Sequence, residues 1–172
     1  MELLGPSLEE LFTFCSRKFS LKTVLMLADQ MLMRLEYTHA HHFIHRDIKP
    51  TNVMVTRHEG LPIPKVIDFG IAKATEGRLT EATVYTQLHK FIGTPAYMSP
   101  EQVKGEGIDA RCDIFSVGAM LFEMVTGEVP FRRPTPLETM HAVAFDETPA
   151  MSSLRPNLPV KLQRIVSRCL KK

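Results

Sequence analysis

The chain has 172 residues, of which 44% are hydrophobic and 23% charged, with a formal net charge of +2. That length suits one ordinary domain burying roughly 70% of its unfolded surface, and the composition is that of a soluble globular protein. So small a charge, with Lys and Arg spread along the chain as a solvated face, excludes an argument for nucleic acid or a membrane surface.

Met1 leads into the acidic Glu2 with no basic start, so no signal peptide is expected. The segment from Met1 to Ser7 is apolar and broken by Gly5-Pro6, which marks a turn, and an amphipathic piece follows from Leu8 to Phe14. Ser20 is placed to cap a helix beginning at Leu21. Leu21, Val24, Leu25, Ala28, Met31, Leu32 and Leu35 then recur at three and four, which predicts one apolar stripe through about residue 39. His39, His41 and His42 fall at the end of that helix, where they are expected as surface residues compatible with its dipole.

Phe43-Ile44, Val53-Met54-Val55 and Lys65-Val66-Ile67 are short β-prone runs, with Gly60 to Pro64 expected as a turn in a hairpin-like connection. Ala72 to Lys90 is polar, contains Thr75, Thr80, Thr83 and Thr86, and predicts a long loop. Asp113 to Thr126 is apolar on every side, so a helix buried at the centre of a helical domain is expected, stopped by Gly127. Its apolar run, Ile114 to Val125, falls short of the about 20 residues that span a bilayer. Pro130–Pro136 and Pro149–Pro159 are expected as connectors, and Val160 to Lys172 as a last amphipathic helix. Cys15, Cys112 and Cys169 are odd in number, far apart and without a CxxC pair. They favour reduced thiols and a cytoplasmic location over a disulfide framework or zinc site.

The chemistry concentrates in one stretch, His45-Arg46-Asp47-Ile48-Lys49-Pro50-Thr51-Asn52, completed by Asp68 after a further short apolar run. Transfer of a γ-phosphoryl group needs positioning and neutralisation of phosphate charge more than covalent work by the protein. Asp47 is the candidate to orient an attacking hydroxyl and take its proton, and Lys49 the fixed cation beside it. Asn52 and Asp68 offer a carbonyl and a carboxylate, the hard oxygen donors that Mg²⁺ prefers.

His45-Arg46-Asp47 through Asn52, Asp68-Phe69-Gly70, Ser99-Pro100-Glu101 and Asp113 to Gly118 resemble, in order, four motifs of eukaryotic-type protein kinases. The resemblance implies a mainly α fold (α+β overall), a kinase-like C-terminal lobe with short β-hairpins at the catalytic loop. It covers nearly the whole chain and implies one partial kinase domain over residues 1–172, from hinge to late C-terminal lobe. Lys49, and Thr94 in Gly93-Thr94-Pro95, match the serine/threonine branch. By resemblance Asp47 is the base, Lys49 meets the γ-phosphate of ATP, Asn52 and Asp68 hold Mg²⁺, and Thr94 helps form the shelf for protein substrates. Leu4 lies where a hinge amide would meet adenine, and Met54 in the floor beneath it. Asp113 is expected to order the catalytic-loop backbone, and His45 to pack rather than act as a base. Arg46 implies control by phosphorylation at Thr80, Thr83 or Thr86, whose phosphate it would pair.

The family's Gly-rich loop, strand lysine and helix glutamate have no match in these residues, so an N-terminal kinase lobe is an expected partner. Without one, at most trace activity is expected, and Leu3, Leu4, Met54 and Val66 form an apolar face prone to association. Glu101 is also expected to lack its usual basic partner. Residues 1–45 resemble the casein kinase 1 family and the remainder bacterial-type serine/threonine kinases, which implies a mosaic, either a natural recombinant or an assembled or misassembled reading frame. Two further readings are a non-catalytic, pseudokinase-like binding lobe and a small-molecule phosphotransferase. The segment from Thr94 to Glu101 speaks against the latter, because it resembles a peptide-binding shelf.

Overall fold

The computed structural model describes residues 5–68 and 95–172. Leu3, Leu4, Phe69, Gly70, Thr80, Thr83, Thr86, Gly93 and Thr94, all singled out above, lie outside the described residues. In chain order come α1 (Leu8–Phe14), α2 (Leu21–Ala40), a 3-10 turn (Pro50–Asn52), β1 (Val53–His58) and β2 (Leu61–Val66). A second 3-10 turn (Pro95–Tyr97) precedes α3 (Pro100–Lys104), α4 (Arg111–Thr126), α5 (Pro136–Phe145), α6 (Met151–Leu154) and α7 (Val160–Cys169). The described residues are thus mainly α with one two-stranded antiparallel sheet, as the motifs led one to expect.

Local chemistry explains most element starts. Ser7 closes a capping box on α1, its Oγ accepting the Glu10 N–H while Glu10 accepts the Ser7 N–H. Ser20 caps α2 through the Thr23 N–H, as expected. Of the expected stripe Val24, Ala28, Met31 and Leu35 are buried and Leu21 and Leu32 half-buried, whereas Leu25 is exposed and Leu27 takes a buried place instead. The helix α4 forms the centre: from Cys112 to Val125 every residue but Ile114 is buried. Gly127 ends it in the left-handed conformation, at φ 89°. On α4, a Cβ on Gly118 would stand 2.6 Å from the Cys169 Cβ of α7. Gly118→Ala is therefore expected to destabilise the fold by about 1–3 kcal/mol through overpacking. Urea unfolding would show it as a lowered midpoint at unchanged slope.

The hairpin departs from expectation in two ways. Phe43-Ile44 forms no strand. The turn is Glu59-Gly60 alone, both at positive φ (51° and 81°), a two-residue type I′ turn. Leu61 to Pro64 then belongs to β2 despite two prolines. Register explains this: Pro64 faces Val55 and Pro62 faces Arg57, two positions of the same parity. Val55 sends its own N–H away from β2, to the Pro6 carbonyl at 2.9 Å. The prolines thus occupy non-hydrogen-bonded sites, where a missing N–H removes no ladder bond. Val53 and Val55 face the core, leaving Met54 half-buried on the other face with a bridge to Ser7. Val66 is half-buried as well.

The α5 helix was not anticipated between the two connectors, and the second connector contains the short α6. Thr135 caps α5 through the Glu138 N–H, and Pro136 takes the first helical position, where its missing N–H costs nothing. Cys15, Cys112 and Cys169 are free thiols. Among the described residues no helix is long and apolar enough to cross a membrane.

Candidate active site

The site lies in the stretch joining α2 to β1 and at the end of β2. Lys49, Pro50 and Asn52 form a tight 3-10 turn, with the Asn52 N–H donating to the Lys49 carbonyl at 2.9 Å. This turn folds the offsets of two and five residues from Asp47 back onto its carboxylate. Lys49 Nζ stands 3.0 Å from Asp47 Oδ2, and Asn52 Nδ2 donates to Asp47 Oδ2 at 3.2 Å and to the Asp47 carbonyl at 2.9 Å. Asn52 is buried, whereas the Asp47 and Lys49 side chains keep 24% and 27% exposure, so both can meet a ligand from solvent.

These bonds also settle the amide orientation of Asn52. With Nδ2 committed to Asp47, Oδ1 remains as the acceptor, and among the described residues it takes a long 3.4 Å bond from Thr51 Oγ1. The Ile67 N–H donates to the Asn52 carbonyl at 2.9 Å, which ties the residue preceding Asp68 to the loop. Asp68 is exposed at φ 58°, a left-handed conformation uncommon outside glycine. An amide oxygen and a carboxylate on adjoining segments fit a hard divalent ion that keeps water or phosphate oxygens as its remaining ligands. Asn52 and Asp68 would hold such an ion, which would neutralise phosphate charge.

His45 is a positioning element, as expected. Its ring lies buried, with Nε2 2.9 Å from the Ile67 carbonyl, while the Asp47 N–H donates to Nδ1 at 3.3 Å. The proton therefore sits on Nε2. Burial lowers the His45 pKa from its ordinary value and outweighs the opposing Ile67 carbonyl and the carboxylates of Asp113, Asp47 and Asp68. Because the unfolded imidazole binds its proton first as pH falls, this contribution to stability is complete above about pH 6.5 and is lost below it. The melting temperature of the native protein should fall on acidification from that point more steeply than that of His45→Gln.

Asp113, at the start of α4 and fully buried, gathers the other side of the loop. Its Oδ2 accepts the His45 N–H at 2.8 Å and its Oδ1 the Arg46 N–H at 2.7 Å. The expected ordering of the loop backbone is thus formed. His39 corrects a second expectation: its Nε2 lies 2.8 Å from Asp113 Oδ2 and its side chain is 17% exposed, so it belongs to this hub rather than to the surface. A histidine at a helix end carries no local signal of a carboxylate 74 residues away.

A second buried carboxylate was missed altogether. Glu123 accepts from the Tyr97 hydroxyl and from the Arg17 guanidinium, and the Ser116 hydroxyl donates to the Tyr97 carbonyl at 2.7 Å. The 3-10 turn that follows Thr94 is thereby fastened to α4. Burial pushes the Glu123 carboxyl up, against the Tyr97 hydrogen bond and the Arg17 charge.

Asp47, Lys49, Asn52 and the end of β2 are therefore brought together, and Met54 sits on the exposed-side face of the adjoining strand. A cavity of about 790 Å³ opens behind the loop, between α2 and β2, with Arg34, Tyr37, Lys65 and His45 in its walls. Asp47, Lys49, Asn52, Met54 and Asp68 do not line it.

The protein-family model for the protein kinase domain matches residues 1–172. The chain belongs to the protein kinase domain family.

Proposed function

We propose that residues 1–172 are the hinge-to-late-C-lobe part of a serine/threonine protein kinase, transferring the ATP γ-phosphate to Ser and Thr hydroxyls of proteins. The observation that carries this reading is the Asp47 carboxylate, held between the Lys49 ammonium and the Asn52 amide on an accessible rim. In this reading the substrate hydroxyl donates its proton to Asp47 as its oxygen forms a bond to the γ-phosphorus. The bond from that phosphorus to the bridging oxygen breaks, and ADP leaves. Lys49 faces the transferred group and offsets its charge, a preorganised electrostatic contribution. Mg²⁺ on Asn52 and Asp68 would supply charge neutralisation at the phosphates.

Met54 and Leu4 are proposed to meet adenine and Thr94 to shape the peptide shelf; Leu4 and Thr94 rest on the motif resemblance. The Gly-rich loop and strand lysine would come from an N-terminal lobe on another segment. A cytoplasmic setting, with ATP and free thiols, belongs to the same reading. The two subfamily resemblances are proposed to reflect a mosaic gene; sequencing reads across codons 37 to 50 that place them in separate transcripts would sink that idea.

The deciding experiment joins the chain to a kinase N-terminal lobe and supplies Mg-[γ-³²P]ATP with a generic basic protein. Label on phosphoserine or phosphothreonine is expected, with at most a trace from residues 1–172 alone. Label confined to phosphotyrosine would refute the serine/threonine assignment, and no label in the joined form would refute the catalytic reading.

A further inference from the structure

Gln102 occupies the third position of α3, where a residue that accepts the cap's N–H completes a capping box. It does so: Oε1 accepts the Ser99 N–H at 3.0 Å, and Ser99 Oγ accepts the Gln102 N–H at 3.4 Å. A glutamate would serve that purpose equally, with its charge favoured at a helix start. The other half of the Gln102 amide does something a glutamate cannot. Its Nε2–H donates to the Arg46 carbonyl at 2.8 Å, across 56 residues.

Arg46 is the residue immediately before Asp47 and sits at φ 68°, in the left-handed region. Such a conformation is strained for a residue other than glycine and persists where surrounding contacts over-determine it. Arg46 is held on both sides: its N–H donates to Asp113 Oδ1 from α4, and its C=O accepts from Gln102 of α3. One side chain with both an acceptor and a donor thus links the start of α3 to the backbone that aims Asp47. We propose that Gln102 is a positioning residue that fixes the catalytic-loop backbone through the Arg46 carbonyl and couples it to the helix following the substrate shelf. This rests on the reading of Asp47 as the base.

Gln102→Glu separates the two roles. It keeps an acceptor for the Ser99 N–H, but sets a carboxylate oxygen against the Arg46 carbonyl. Ser99→Ala is the converse control, weakening the cap while leaving the Nε2 bond. Hydrogen exchange of the Arg46 and Asp47 amides in residues 1–172, with melting temperature, requires no phosphoryl transfer. Gln102→Glu should melt within a few degrees of the native protein yet exchange these amides on the order of tenfold faster, the loss of one net hydrogen bond. In the joined form kcat should fall by a similar factor at unchanged KM for ATP. Ser99→Ala should lower the melting temperature without selective exchange at these two amides. Native-like exchange in Gln102→Glu would overturn the proposal and leave Gln102 a helix cap. Faster exchange with unchanged kcat would overturn the link to catalysis. Faster exchange with no transfer from the native joined form would instead count against the catalytic reading.

Discussion

Asp113→Ala is expected to cost about 3–5 kcal/mol, a large fraction of the stability of a domain this size. The carboxylate accepts from the backbone N–H groups of His45 and Arg46, and both bonds lie at 2.7–2.8 Å. Removing it leaves those donors facing a void from which water is excluded, at about 1–3 kcal/mol each. His39 Nε2 and the Cys112 thiol, 3.7 Å from Oδ1, lose the same acceptor. Cys112 does not compensate by ionising, because burial by itself pushes its thiol up. Asp113→Asn should be intermediate: one oxygen still accepts, but the amide NH₂ turns a donor toward a backbone donor. Urea unfolding of the three proteins would order them native, Asn, Ala. A loss under about 1 kcal/mol for Asp113→Ala would show that the loop holds its shape without this anchor.

Asp47→Asn has the opposite signature. An asparagine oxygen can still accept from Lys49 Nζ and Asn52 Nδ2, so the fold should keep its stability to within about 1 kcal/mol. What disappears is a group able to take the hydroxyl proton in the transition state. General-base removal lowers rate by about 10²–10⁴. The loss should fall on kcat, with KM for ATP little changed, because the interaction is made as the proton moves and not on nucleotide binding. Single-turnover transfer from labelled Mg-ATP in the joined form would measure it. A variant retaining more than a tenth of the native rate would remove Asp47 from the role of base.

The two aspartates show how far a sequence can be followed. Asp47, Lys49 and Asn52 lie within one six-residue stretch, and a 3-10 turn started by Pro50 suffices to bring them within 3.0–3.2 Å. Spacing along the chain was therefore enough to name them together. The same holds for Ser20 at the start of α2, Gly127 at the end of α4, and the apolar stripe of α2, all of which depend on neighbours within a turn or two. The run from Asp113 to Thr126 is apolar all round, and such a helix has no stable place except the centre of a core.

Other features depended on partners remote in the chain. The contacts of Asp113 reach back 68 and 67 residues to the loop, those of Arg17 reach forward 106 to Glu123, and Gln102 reaches back 56 to Arg46. No periodicity or cap rule encodes them, since each is a polar group whose desolvation is offset by whichever donor or acceptor the packed elements deliver. Among the described residues no buried side-chain nitrogen or oxygen is left without a hydrogen bond. Satisfying each of them is a condition on the whole packed lobe. Pro62 and Pro64 tell the same story: as residues they argue for a turn, and only the strand register, by turning their nitrogens away from β1, makes them harmless. Residue identity and local spacing thus set out the reacting groups and the helices. Which backbone holds those groups still, and which side chains fasten it, follows from how distant segments pack.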